Sequence, residues 1–266
     1  MKNQLAFKLI NRNDSMIVIF LHGFLGNGAE FDAIANRLPF SCLTLDLPGH
    51  GETRFSAQYT MENTANAIVH LLNELGIDRA NLVGYSMGGR LALYLALNYP
   101  ERFSKTVIES GSPGLKTAQE RLERIERDRT LATQIETDFD QFLINWYNQP
   151  LFQSIKPHPN FNQMLKERSR NHPGEIARSL LEMGTGMQPS LWEKLRTHQN
   201  PLLLMVGEYD RKFVALNQEM VSICETAELA IVPDAGHNIH FEKPDLFVDR
   251  LKSFLRYVTT DILHQW

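Results

Sequence analysis

Leu82-Val83-Gly84-Tyr85-Ser86-Met87-Gly88-Gly89-Arg90 is the stretch from which the rest of the chain is read. Ala80-Asn81-Leu82-Val83 reads as a buried strand. Leu91, Leu93, Tyr94 and Leu95 read as a helix running to Tyr99-Pro100. Gly84-Tyr85-Ser86-Met87-Gly88 lies between them, so the G-x-S-x-G pattern stands in the strand-to-helix context in which it carries chemistry. Such a turn holds the serine in a strained backbone conformation, and glycines two residues to either side let strand and helix come close enough for it to form. Ser86 Oγ is therefore expected at the C-terminal edge of a sheet.

Outward from this turn, strands and helices alternate. Met16-Ile17-Val18-Ile19-Phe20-Leu21 is a short apolar run with the length and β-branching of a strand buried on both faces. Further strands read at 41–45, 106–108, 202–206 and 228–232. Helices read from Thr60 to Leu75, with Gly76 as its stop, and from about Pro244 to Tyr257. The alternation stops between about Leu115 and Arg196, where charged helical stretches such as Gln119-Glu120-Arg121-Leu122-Glu123-Arg124-Ile125-Glu126-Arg127-Asp128 take over. This predicts an α/β protein of the α/β-hydrolase fold, a mostly parallel sheet with helices on both faces and an inserted helical cap. The core is expected at 1–114 and 197–266 and the cap at 115–196, with no repeat, low-complexity tract or linker marking an independent domain.

Composition narrows the partners. With 266 residues, 43% hydrophobic, 22% charged and a formal charge of −4, the chain has no cationic excess for a nucleic-acid backbone. Its first residues lack the apolar core of a secretory signal, and no apolar run approaches the roughly 18 residues of a membrane span, so a cytoplasmic protein without membrane insertion is expected. Cys42 and Cys224 fit no zinc or redox spacing, and no ligand cluster stands at metal spacing. Neither metal nor cofactor is expected, and nothing in the sequence sets an oligomeric state.

A serine hydroxyl is a weak nucleophile or base until an imidazole takes its proton, and that imidazole needs a carboxylate to fix its tautomer. The order on this fold is serine, acid, histidine. Gly207-Glu208-Tyr209-Asp210 follows the strand at 202–206 and Ala235-Gly236-His237 follows the strand at 228–232, which makes Asp210 and His237 the matching partners of Ser86. Asp46 also ends a strand, but it precedes the serine. His22, His50 and His240 read as structural. The oxyanion hole is expected from the backbone N–H groups of Met87 and of Phe24, in His22-Gly23-Phe24-Leu25-Gly26. Most arginines of the charged helices read as a solvated face, and Trp146 as either a packing anchor or a ligand contact.

With these residues in view, the chain resembles the 2-succinyl-6-hydroxy-2,4-cyclohexadiene-1-carboxylate synthases, α/β-hydrolase-fold lyases of menaquinone and phylloquinone biosynthesis. The likeness runs nearly end to end. It rests on Ser86-Met87-Gly88-Gly89-Arg90, on Glu109-Ser110-Gly111-Ser112-Pro113-Gly114-Leu115, on Trp146-Tyr147-Asn148-Gln149-Pro150-Leu151-Phe152 and on Gly207-Glu208-Tyr209-Asp210-Arg211-Lys212-Phe213. The resemblance implies elimination of pyruvate from a cyclohexene carboxylate bearing succinyl and enolpyruvyl groups, with Ser86, His237 and Asp210 working as a base. It also implies a tricarboxylate ligand held by Arg90, by Arg124 and by Arg168, or Arg170 beside it, with Tyr85 and Trp146 as further contacts. Two other readings remain at this point: a serine hydrolase, either a carboxylesterase or a carbon–carbon bond hydrolase, and a binder that keeps the turn only as scaffold.

Overall fold

The computed structural model describes residues 4–12 and 16–256. Among the described residues seven strands form one sheet: β1 (Phe7–Ile10), β2 (Ile17–Leu21), β3 (Ser41–Leu45), β4 (Ala80–Tyr85), β5 (Phe103–Glu109), β6 (Leu202–Gly207) and β7 (Ala227–Val232). Their spatial order is β1-β3-β2-β4-β5-β6-β7, and every pairing is parallel except that of β1 with β3. The α-helices are α1 (Asp32–Ala35), α2 (Met61–Glu74), α3 (Met87–Asn98), α4 (Ala118–Thr137), α5 (Phe139–Tyr147), α6 (Phe161–Arg168), α7 (Pro173–Met183), α8 (Trp192–Leu195), α9 (Arg211–Ile223), α10 (Ile239–Glu242) and α11 (Pro244–Arg256).

Successive side chains of a strand point to opposite faces, and β2 divides its residues accordingly. Ile19 and Leu21 join the cluster that buries α2, α3 and the inner side of α9, while Val18 and Phe20 join the one that buries α1 and α11. Covered on both faces, the strand reads as an unbroken apolar run. At its edges α2 also follows the reading: the Thr60 side chain accepts from Asn63 N–H, and Gly76 takes φ +66° just past the end. The expected end of α11 at Tyr257 lies outside the described residues.

One strand had no signal. β1 is an antiparallel edge strand whose Phe7 and Leu9 are exposed, so it lacks the buried run by which the parallel strands are recognised. Its Lys8 pairs with Asp32, and a lysine on an edge discourages pairing with another sheet.

Between β5 and β6 the chain leaves the sheet and forms α4 to α8. Thr117 and Glu120 make a reciprocal capping box at the start of α4. Ala132, Ile135, Phe142, Leu143, Ile176 and Leu180 give this excursion an apolar cluster of its own. Met183, Leu191, Trp192 and Leu195, within the stretch read as cap, pack instead into the sheet's cluster. The outgoing and returning chains are joined there: Leu191 N–H donates to Pro113 C=O (2.7 Å), Trp192 Nε1–H to Gly114 C=O (3.0 Å) and Gln188 Nε2–H to Ser112 C=O (3.0 Å). Cys42 and Cys224 are both free and buried, and burial pushes the Cys42 thiol up to about 12. No helix among the described residues is long and apolar enough to cross a membrane.

Candidate active site

Ser86 sits between β4 and α3 at φ +49°, ψ −105°, a region L-residues avoid and that costs about 1–3 kcal/mol when occupied. The turn exists because Gly88 carries no side chain: a Cβ there would stand 2.1 Å from Leu21 C=O. Ser86 N–H is fixed by Glu109 C=O at 2.8 Å, and its side chain projects at the C-terminal edge of the sheet.

The strands β6 and β7 bring two further side chains to this edge. Asp210 caps α9 through Phe213 N–H and accepts His237 Nδ1–H at 2.6 Å. With Nδ1 the donor, Nε2 is left to accept the Ser86 hydroxyl, at 3.0 Å. Residues 86, 210 and 237 thus form one hydrogen-bonded line, its carboxylate and imidazole almost wholly buried. Asp46 lies elsewhere: its two oxygens accept from Gly28 N–H and Glu52 N–H, both at 2.8 Å, and hold loops.

Two carboxylates that carried no assignment in the sequence hold the His237 loop and the helix α10 that follows it. Glu242 accepts from Gly236 N–H at 3.0 Å and from Asn238 N–H at 3.3 Å, on either side of the histidine. Glu109 accepts from both the N–H and the Nδ1 of His240, at 3.0 and 2.7 Å. Glu109 directly follows the buried apolar pair Val107-Ile108 at the end of β5, and that was its available signal, since a buried carboxylate requires partners. Phe213, Tyr85 and Phe152 surround the His237 ring at centroid distances of 4.7, 5.6 and 5.9 Å.

Facing Ser86 is the turn 22–26, where a Cβ on Gly23 would lie 3.6 Å from Ser86 Cβ and 2.6 Å from the Tyr85 ring. Side chains hold it on every side. Gly23 N–H donates to Glu30, Leu25 N–H to His50 Nε2 (3.1 Å), and Leu25 C=O accepts from Asn171 Nδ2 (2.9 Å) and Arg168 Nη1 (3.2 Å). His22 Nε2 accepts Leu47 N–H at 2.9 Å. Phe24 is fixed within this turn, and Met87 opens α3, where the first N–H groups have no intrahelical acceptor.

Trp146 is half-buried, edge-on to Phe24 at 5.3 Å. The arginines differ sharply. Arg90, one turn after Ser86 on α3, is buried and donates Nη1–H to Met183 C=O (3.0 Å) and Gln188 Oε1 (3.3 Å), with no carboxylate at ion-pairing distance among the described residues. Burial, then the neighbouring Arg124, push its guanidinium down to about 9. Arg124 is half-exposed and bonds Asp128 through Nε at 2.8 Å. Arg168 is buried against Glu30, and although burial opposes its charge the carboxylate raises its pKa above the ordinary range. Arg170 points outward to Glu167. A separate cleft of about 690 Å³ lies beside α6 and α7, and its Arg54, Arg170 and Arg178 pair with Glu52, Glu167 and Glu182. No three His, Cys, Asp or Glu side chains among the described residues are grouped to hold a metal.

The histidines make stability depend on pH. Burial holds His22, His50 and His198 below the ordinary imidazole range. For His240 burial acts the same way, but Glu109 overcomes it and raises the pKa. Below about 6.5 the unfolded chain protonates the first three while the folded protein resists, so their contribution is lost as pH falls. The His240 contribution is complete below about 6.5 and is lost as pH rises through its raised value. Glu242, whose carboxyl is pushed up by burial, acts in the same direction as His240, and with three lowered imidazoles opposing these two the urea midpoint should be lower at about pH 5.5 than at about pH 7. His50→Gln, whose amide oxygen can still accept Leu25 N–H, should narrow the difference; a midpoint that is equal or higher in acid contradicts this account.

The sheet and the strand-ending side chains define a class. A family model described as alpha/beta hydrolase fold matches residues 17–244, and the protein is an enzyme of that superfamily. A thermophilic esterase from Thermogutta terrifontis shares the fold at a TM-score of 0.83 and 24% identity, covering 95% of this chain and 93% of that one. The likeness is stronger to the 2-succinyl-6-hydroxy-2,4-cyclohexadiene-1-carboxylate synthase of Serratia proteamaculans (strain 568), 35% identical over 256 residues, which span 94% of this chain and 98% of the relative. A Bacillus subtilis (strain 168) protein provisionally assigned to the same synthase is 41% identical over 257 residues, 91% of each chain. The structure of MenH from S. aureus superposes at a TM-score of 0.90 with 31% identity, covering 96% of this chain and 98% of that one. The chain belongs to the 2-succinyl-6-hydroxy-2,4-cyclohexadiene-1-carboxylate synthase family.

Proposed function

We propose that this chain eliminates pyruvate from 2-succinyl-5-enolpyruvyl-6-hydroxy-3-cyclohexene-1-carboxylate, giving 2-succinyl-6-hydroxy-2,4-cyclohexadiene-1-carboxylate, a step of menaquinone or phylloquinone biosynthesis in the cytoplasm. The observation that carries this reading is Arg90: a buried guanidinium held only by neutral acceptors, one helical turn from a serine bonded to an imidazole. A buried cation without a counter-ion is costly, and an anionic ligand removes that cost. A neutral ester would not.

In this mechanism His237 Nε2 takes the Ser86 proton, and Ser86 Oγ takes the proton at ring C2. Asp210 steadies the imidazolium. Electrons of the broken C2–H bond form C2=C3, the C3=C4 pair moves to C4=C5, and the C5–O bond breaks. The departing enolpyruvate gains at its methylene carbon a proton equivalent to the one His237 Nε2 took up and now releases, and becomes pyruvate, so atoms balance without water and the imidazole is neutral again. Negative charge develops on the succinyl carbonyl oxygen, where the N–H groups of Phe24 and Met87 serve as donors; one such donor contributes roughly 3–4 kcal/mol to a transition state. Arg90 and Arg124 bind carboxylates, while Tyr85 and Trp146 line the ring. Arg168, already paired with Glu30, reaches the ligand only by sharing that partner.

Purified protein mixed with the enolpyruvyl substrate should release pyruvate, followed by NADH oxidation through lactate dehydrogenase. A rate no greater than the spontaneous one defeats the proposal. The same hydrogen-bonded line would suit a serine hydrolase; burst kinetics with an activated ester and fast labelling by a fluorophosphonate would favour that reading instead.

A further inference from the structure

The excursion between β5 and β6 returns past one polar side chain that packing alone does not explain. Gln188 has no exposed surface, unusual for a glutamine, and both ends of its amide are committed. Nε2–H donates to Ser112 C=O at 3.0 Å, and Oε1 accepts from Arg90 Nη1 at 3.3 Å. Its backbone N–H is tied to Gly184 C=O at 3.2 Å, and Gly184 ends the helix whose last residue, Met183, supplies the other acceptor of Arg90. Asp128, the nearby acid, bonds the Nε of Arg124.

We infer that Gln188 is a positioning residue that fixes Arg90 through a neutral oxygen, holding the guanidinium in place while leaving its charge to attract an anionic ligand. A carboxylate at this position would bond the same nitrogen at least as well, and would also neutralise it. The Coulomb attraction between buried unit charges a few ångströms apart is large, so a glutamate here would compete with the carboxylate of a ligand. The arrangement around Arg168 is the internal comparison: there Glu30 supplies the carboxylate and the arginine serves as a strut for the Leu25 carbonyl. Ser112 acquires a purpose as well, since its carbonyl orients the amide so that oxygen and not nitrogen faces Arg90. The inference rests on the proposed role of Arg90 as a carboxylate ligand.

The test is Gln188→Glu, nearly isosteric, measured for pyruvate release, for calorimetric binding of tricarballylate as a tricarboxylate probe, and for its urea midpoint. KM and the tricarballylate dissociation constant should each rise by about 100-fold, with kcat far less affected, because the ground state and transition state lose the grip together. The urea midpoint should fall in this variant and in Gln188→Met alike, because each loses the Nε2–H bond to Ser112 C=O; the rise in KM and in the tricarballylate dissociation constant is what a merely structural glutamine would not produce. Gln188→Met removes the acceptor without adding charge and should raise KM by about tenfold. Ligand affinity within about threefold of wild type in Gln188→Glu, well under the effect of losing a charged hydrogen bond, overturns the inference. So does a loss of stability and kcat at constant KM. Should that variant fail to fold, an unchanged KM in Gln188→Met overturns it equally. A wild type that binds tricarballylate but releases no pyruvate defeats the lyase proposal alone, and the probe affinities then decide on Gln188; a wild type that binds no tricarballylate defeats the inference.

Discussion

Ser86→Ala is expected to lower kcat for pyruvate release by about 1000-fold while leaving KM within a few-fold of wild type, the range for loss of a positioned acid–base group. The hydroxyl stands 3.0 Å from His237 Nε2, and removing it leaves the imidazole without the atom through which it reaches substrate. The anion-binding arginines are untouched, so substrate still docks. Steady-state kinetics by the coupled assay separate the two parameters. Ser86→Gly should be equally slow yet no less stable, because φ +49° at this position suits glycine better than any L-residue. Activity of Ser86→Ala within tenfold of wild type would move proton removal to another group and leave Ser86 as a relic of hydrolase ancestry.

The same strained turn shows why the sheet and its centre were readable from sequence. A strand buried on both faces must be apolar throughout, and a sharp strand-to-helix turn needs small residues at set spacing, so β2, β4 and the Ser86 turn carry local signatures. Asp210 and His237 were legible for a related reason: on parallel strands, residues just past the C-terminal ends converge on one edge whatever their separation in the chain. Edge strand β1 was missed because exposed Phe7 and Leu9 leave no pattern of burial. Glu30, Glu109 and Glu242 were missed because their work is to accept backbone N–H groups and to face a buried partner, which is decided by the meeting of distant segments. The arginines illustrate the limit best. As letters Arg90 and Arg168 are equivalent cations, and only the fold gives Arg168 a carboxylate and Arg90 a glutamine.

That difference sets the size of the second large effect. Arg90→Ala should reduce kcat/KM by about 100-fold or more, corresponding to roughly 3 kcal/mol, with most of the loss in KM. An arginine gripping a carboxylate away from the breaking bonds binds ground state and transition state alike. Its removal also leaves Met183 C=O and Gln188 Oε1 unpaired inside the protein, so a fall in urea midpoint should accompany the kinetic loss. Arg90→Lys separates the two causes. A lysine keeps the charge, but its compact ammonium cannot span two neutral acceptors and a bidentate carboxylate at once. It should recover stability more fully than affinity. If Arg90→Ala remained within a few-fold of wild type, the buried guanidinium would be a support for the returning chain at Met183 and Gln188, and the anion that the site is built around would have to be held by Arg124 and by whatever share of Arg168 its Glu30 partner leaves.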